Sequence, residues 1–153
     1  MEHAIPYDLG ETIVIIVGDR RHELDVKSDM LINPLCLNQE MAALPGTLSM
    51  YIRHRDAASL EYKRLELALR CFGAKFMTEE LDHSPKLAEW KMRALLHGTD
   101  EYQENKANVI LMGALVGRLD GAIKALEQKA WMLRSMGAMA RVEIENLDIH
   151  SNV

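Results

Sequence analysis

Basic side chains are the residues of this sequence whose type and spacing best suit a chemical task. They concentrate in segments 51–75 and 106–141, which together hold twelve Lys and Arg residues against five Asp and Glu residues. The whole chain has a formal charge of −5, so bulk positive charge does not drive nucleic-acid binding, although local patches can. Phosphate backbones bind such patches by releasing counterions. The same bases are also typical of solvated coiled-coil flanks, and charge alone leaves these two interpretations equal.

Motifs for catalysis do not occur in the sequence. It has no GxxxxGKS/T, GxGxxG, GxSxG or HExxH pattern. The six histidines are scattered singly, whereas metal sites need ligands that converge in a defined geometry. The two cysteines, Cys36 and Cys71, form no CxxC pair, and no secretory leader is evident. We therefore expect no catalytic residue, no metal site and no cofactor, and a location in the cytoplasm.

Composition predicts a single, mainly α domain. The chain has 153 residues, of which 48% are hydrophobic, only 5% are aromatic and ten are Met. A core of Leu, Met, Ala and Ile favours helices, because strands prefer aromatic and β-branched residues.

Two heptad seams, in which apolar residues recur at alternating steps of three and four, predict two long helices. The first seam contains one polar member, Arg55, and the second spans most of a helix expected at 100–140. The first consists of Tyr51, Arg55, Ala58, Tyr62, Leu65, Leu69, Phe72 and Phe76; the second of Val109, Met112, Val116, Leu119, Ile123, Leu126, Ala130, Leu133, Gly137 and Ala140.

Shorter elements surround these helices. The β-branched run 12–17, the turn Gly18-Asp19 and the alternating segment 23–27 predict a β-hairpin. Asn33 and Pro34 suit the start of a short helix that reaches Leu44, after which Pro45-Gly46 is expected to break the chain. A short helix is expected from Ser84-Pro85 to His97. Thr99 or Asp100 offers a cap for the second long helix, and Asp100 with Gln103 makes a capping-box pattern.

The predicted fold class is mainly α, an antiparallel long-helix hairpin with short helices and an N-terminal β-hairpin. We expect three segments: a β-hairpin at 1–30, a helical core at 31–141 and an acidic C-terminal tail at 142–153.

Apolar residues also lie off the seams, which predicts self-association because one partner helix cannot cover them. Coverage of these faces by the N-terminal hairpin and short helices of the same chain is the alternative. We expect a homo-oligomer larger than a dimer, closed by cyclic symmetry. The candidate interface residues are Leu60, Leu67, Trp131, Met132, Met136 and Met139.

The order of these features resembles the UvsY-like family of phage recombination mediators. The matching segments are Leu44–Tyr51, Tyr62–Glu66, Met77–Leu81, Gly98–Tyr102 and Asp120–Leu133. The resemblance spans roughly residues 31–136, and the order and spacing of the segments carry more weight than any one of them.

The resemblance implies a non-enzymatic helical protein that assembles into a ring, binds single-stranded DNA and helps load a phage recombinase or annealing protein onto strands covered by single-strand-binding protein. The alternative is a helical structural or adaptor protein, such as a virion assembly factor or a nuclease inhibitor, that binds protein and not DNA. The candidate phosphate contacts are Lys63, Arg64, Arg70, Lys124, Lys129 and Arg134.

Overall fold

The protein's structure, a computed structural model, describes residues 12–17, 20–83 and 87–151. It divides into two compact units. Unit 1 combines the chain up to His54 with the chain from Arg118 onward, and unit 2 comprises Arg55–Gly117. Within the described residues, no helix combines the length and the apolar character needed to cross a membrane.

The predicted β-hairpin is present in unit 1. Strands β1 (Thr12–Val17) and β2 (Arg20–Asp25) pair antiparallel from Thr12↔Asp25 to Val17↔Arg20; the expected turn at 18–19 lies outside the described residues. Strand β2 begins and ends earlier than the expected 23–27. It ends at Asp25 because that side chain accepts a hydrogen bond from the backbone N–H of Ser28 (2.9 Å) and caps helix α1 (Val26–Met30).

The extent of helix α2 (Leu37–His83) differs from the sequence-based prediction. Asn33 does cap a 3₁₀ turn at Pro34–Cys36, accepting from the Leu35 N–H at 3.0 Å, but the expected break at Pro45-Gly46 is wrong, since α2 runs through Pro45. A proline inside a helix costs about 3 kcal/mol. Leu44 and Tyr51, on either side of it, are both buried, and their packing offsets that cost.

Two further helices follow in the described part of the chain; the expected helix start at Ser84-Pro85 lies outside it. Helix α3 is Glu89–His97, and helix α4 is Asp100–Ser151, longer than the expected 100–140. Thr99 provides the cap through its hydroxyl, which accepts from the Tyr102 N–H (3.3 Å). The Gln103 side chain donates to the His97 carbonyl (2.6 Å), so the expected capping box on Asp100 does not form.

Both seams form the core. Every seam residue is buried or half-buried, and Tyr51, Leu119, Leu126 and Leu133 are fully buried in unit 1. In unit 2, α4 packs so closely on α2 that a methyl group at Gly113 would lie 3.1 Å from the Tyr62 ring. The predicted fold class is confirmed: a mainly α, antiparallel long-helix hairpin with short helices and an N-terminal β-hairpin. The division at residues 30/31 and 141/142 stays a prediction.

Candidate nucleic-acid interface

In unit 2, helix α2 presents a mixed basic and apolar surface to solvent. Because the seam residues turn toward the core, residues three and four positions apart on the opposite side face outward together. Leu60 and Leu67 are 72% and 62% exposed. The side chains of this surface, which we call the α2 outer face, are Leu60, Lys63, Arg64, Leu67 and Arg70, all exposed.

The bases of the α2 outer face differ in whether an acid neutralises them. Arg64 lies 3.7 Å from Glu61, and both side chains are well exposed, so this pair is weak and readily screened. Lys63 and Arg70 make no ion pair with any residue in the described part of the chain. Both cations are therefore available to an external anion.

In unit 1, helix α4 presents a second basic surface. Lys124, Trp131 and Arg134 are exposed there, and Trp131 is 70% exposed. We call these three residues the Trp131 face. Neither Lys124 nor Arg134 has an acidic partner among residues 12–16, 21–83 and 87–144, whose side chains the structure describes.

Lys129 is not a phosphate contact, which corrects the prediction for this residue. It is only 7% exposed, and its Nζ donates to the carbonyl oxygens of Asp29 (2.9 Å) and Leu31 (2.6 Å) and pairs with Glu40 (2.7 Å). An ammonium group has three N–H donors, and all three are used. The hydrogen bond and the charge of Lys129 lower the pKa of Glu40.

The Lys129–Glu40 ion pair was not predicted, although the sequence contains part of the signal for it. Lys129 follows Leu126 by three residues and precedes Leu133 by four, so it lies beside the seam and faces inward. Its partners Asp29, Leu31 and Glu40 precede it by about a hundred residues. No local sequence pattern can therefore indicate them.

A second contact in unit 1 ties α2 to the segment before it. The Tyr51 hydroxyl donates to the Asp29 carboxylate at 2.8 Å. Burial raises the pKa of Tyr51, and the hydrogen bond to Asp29 and its negative charge raise it further. Tyr51 is therefore a core residue with a satisfied hydroxyl and offers no stacking face.

The predicted interface residues are mostly in solvent in the single chain. Leu60, Leu67, Trp131, Met132 and Met139 are exposed, and Met136 is half-buried. The short helices and hairpin thus leave these side chains uncovered within each unit. Whether a second copy covers them stays a prediction.

Potential metal ligands are dispersed in the described part of the chain. No cluster of three or more His, Cys, Asp or Glu side chains that could hold a metal ion occurs there. The His22 and His54 rings are 5.3 Å apart, and burial, His22 and Arg53 lower the pKa of His54. The exposed cations of the α2 outer face and the Trp131 face suit the binding of an anion.

Known proteins resemble this chain in structure, whereas the comparisons based on sequence find no match. No protein family and no curated protein matches the chain. The chain is similar to the bacteriophage T4 recombination mediator protein UvsY in three crystal forms. In lattice type IV the identity is 17% and the TM-score 0.65, over 77% of this chain and 92% of UvsY.

The other two crystal forms give the same result. The identity is 15% with a TM-score of 0.68 for lattice type I (77% of this chain, 95% of UvsY), and 16% with 0.66 for lattice type II (78% and 92%). At this identity the likeness shows the fold. The resemblance found in the sequence is therefore confirmed as a shared fold with a recombination mediator.

Proposed function

We propose that this protein is a non-enzymatic accessory factor of phage DNA recombination that binds single-stranded DNA. The observation that carries the proposal is a set of exposed cations on the fold of a recombination mediator. Lys63 and Arg70 in unit 2 and Lys124 and Arg134 in unit 1 have no acidic partner among the described residues.

The physical basis is electrostatic attraction to the phosphate backbone. Single strands bind basic surfaces mainly by displacing counterions, which requires exposed charges and no sequence-reading groups. Arg64 joins Lys63 and Arg70 on the α2 outer face, because its contact with Glu61 is long and solvent-exposed. The proposed contacts are therefore Lys63, Arg64, Arg70, Lys124 and Arg134, without Lys129.

The proposal includes self-association into a ring and two protein partners, a phage recombinase or annealing protein and a single-strand-binding protein. Exposed apolar side chains in both units support self-association. Burying a Leu or Met side chain contributes on the order of 2 kcal/mol, and Leu60, Leu67, Met132 and Met139 are exposed in the single chain. Native mass spectrometry at micromolar concentration tests this part; a monomer contradicts it.

Fluorescence anisotropy with a labelled oligonucleotide, measured over a series of salt concentrations, tests DNA binding. We expect the affinity to fall steeply with salt. The double variant Lys63→Ala/Arg70→Ala should bind more weakly, and its log–log salt slope should be shallower by about 0.7 for each lost contact.

Lys75→Ala is the matched control for Arg70→Ala. It removes the same charge from the same helix in unit 2, but Lys75 is already 3.8 Å from Glu79. The control should change the salt slope less than Arg70→Ala does. Absence of binding, or binding indifferent to salt, contradicts the proposed function.

A second candidate is a helical adaptor that binds protein and not DNA. The pairing of Arg64 with Glu61 and the exposed Leu60 and Leu67 favour it, because they make the α2 outer face partly neutral and partly apolar. Failure to bind DNA, together with loss of a protein complex on Leu60→Glu/Leu67→Glu, would establish this alternative.

A further inference from the structure

Trp131 is an exposed aromatic ring on a regular helix. It lies in unit 1 on α4 and is 70% exposed. Tryptophan is enriched at binding interfaces because it combines a large apolar ring with a polar N–H group.

On the helix surface Trp131 lies between Arg134 on one side and the methionines on the other, with Lys124 almost in line with the indole along the helix axis. Each helical residue turns about 100° around the axis, so Lys124 lies about 20° from Trp131 and Arg134 about 60°. Met132 and Met139 lie about 80–100° away, on the side opposite Arg134. Around the helix axis Trp131 is therefore nearer to the two cations than to Met132 and Met139, although it is itself one of the candidate subunit contacts. The Trp131 face also carries one acid, Glu127, which is exposed.

Distances along the helix suit a nucleotide. At about 1.5 Å per residue, Lys124 is about 10 Å from Trp131 along the axis and Arg134 about 4.5 Å. Long basic side chains can cover such distances, so both can reach phosphates on either side of a base that stacks on the indole.

Trp90 provides an internal contrast. It is exposed to a similar extent (67%), but the Lys91 ammonium lies 5.4 Å from its ring centroid. The chain's own cation thus covers that ring. Trp131 has no comparable ring or cation partner in the part of the chain that the structure describes.

We propose that Trp131 is a base-stacking platform for single-stranded DNA and that Lys124 and Arg134 hold the adjacent phosphates. This inference deepens the proposed function and rests on it. The ring supplies a π-face that any base can use, and the two cations supply the charge complementarity that a phosphate backbone requires. A neutral apolar partner would gain nothing from those cations.

The test compares two probes of equal length and charge, an oligo-dT strand and a strand whose central nucleotides are abasic. In a Trp90→Phe background, which leaves Trp131 as the sole tryptophan, oligo-dT should quench the fluorescence strongly and the abasic strand should not. Trp131→Ala should weaken oligo-dT binding about tenfold and leave the salt slope unchanged. Lys124→Ala/Arg134→Ala should reduce the slope.

Trp90→Ala is the matched control and should leave oligo-dT affinity unchanged, while Trp131→Phe, which keeps a ring, should retain most of the affinity. Absence of binding to either strand overturns the proposed function. Salt-dependent binding with equal affinity for the two strands, or unchanged by Trp131→Ala, overturns the stacking platform alone. A lower native mass for Trp131→Ala also overturns it, because the indole is then a subunit contact.

Discussion

Within unit 1, the inner and outer sides of helix α4 use the same residue type in opposite ways. Lys129, on the inner side, is buried and bonded to two carbonyl oxygens and a carboxylate. Lys124, five residues earlier, is exposed and has no acidic partner in the described part of the chain. A count of bases along the sequence treats both alike, so what distinguishes a structural cation from a binding cation is its position relative to the seam.

The inner and outer sides of α4 also contribute to different properties, stability on one side and binding on the other. A buried ammonium loses its hydration and is tolerated only with a full set of partners, so Lys129 joins α4 to the segment between β2 and α2 and cannot reach an external phosphate. An exposed cation keeps its hydration and contributes little to stability. It is therefore free to bind an anion from solution.

The largest expected effect follows from truncating the inner lysine. Lys129→Ala removes the ammonium donor from the Asp29 and Leu31 carbonyls and leaves the Glu40 carboxylate without its cation, and should lower the free energy of unfolding by about 3 kcal/mol. Urea denaturation followed by circular dichroism measures this. Lys124→Ala, the same substitution on the outer side, should stay within about 0.5 kcal/mol of the parent protein. Equal effects of the two variants would contradict the conclusion that Lys129 stabilises the fold and Lys124 does not.

Low pH should weaken the Lys129–Glu40 interaction on the inner side of α4 and have less effect on the outer side. Lys129 lowers the pKa of Glu40 in the folded protein below its usual 4.5, so the carboxylate stabilises the fold at pH values above 4.5. That stabilisation is lost as the pH falls through the lower folded-state value.

The measurement is the difference in unfolding free energy between the parent protein and Glu40→Gln as a function of pH. We expect the difference to be constant above about pH 6, since a carboxyl group with an ordinary pKa is ionised there, and to shrink as the solution becomes more acidic. Glu127→Gln on the outer side is the control. A difference for Glu40→Gln that grows toward acid would contradict the lowered pKa.

The smallest expected effect uses two glycines of α4. Alanine is favoured over glycine inside a helix by up to about 1 kcal/mol. Nothing lies within 4 Å of a methyl group at Gly121, so Gly121→Ala should raise the free energy of unfolding by roughly 0.5–1 kcal/mol. At Gly113, in unit 2, the methyl group would lie 3.1 Å from the Tyr62 ring, and the ring would have to shift.

Gly113→Ala should therefore gain less than Gly121→Ala or destabilise the protein. Thermal unfolding of the two variants side by side checks this order. A larger gain at Gly113 than at Gly121 would show that the inner side of α4 is looser in unit 2 than the packing on Tyr62 indicates.

Prediction from sequence succeeded where the signal is periodic or local. The two seams are buried or half-buried throughout, the hairpin strands pair, and Asn33 and Thr99 act as caps. It failed at Pro45, where the proline alone predicts a break. Packing of Leu44 and Tyr51 against the rest of unit 1 outweighs the local cost there, and that packing is invisible in a short window of sequence.

The candidate site was predicted in part for the same reason. Lys63, Arg64 and Arg70 lie opposite the first seam, so helical periodicity alone places them in solvent. For Trp131, exposure and position relative to Lys124 and Arg134 follow from α4 being helical around it. Whether either surface binds DNA stays a prediction.

Periodicity in the sequence is enough to assign which residues of each long helix face inward, because a repeat of three and four residues matches the helical period and involves only neighbours in the chain. The bonds of Lys129 to Asp29, Leu31 and Glu40, and of Tyr51 to Asp29, depend on the tertiary fold. Those partners come from segments far apart in the chain. A buried charge is satisfied by whichever groups the fold brings within about 3 Å. Spacing along the sequence does not indicate which groups these are.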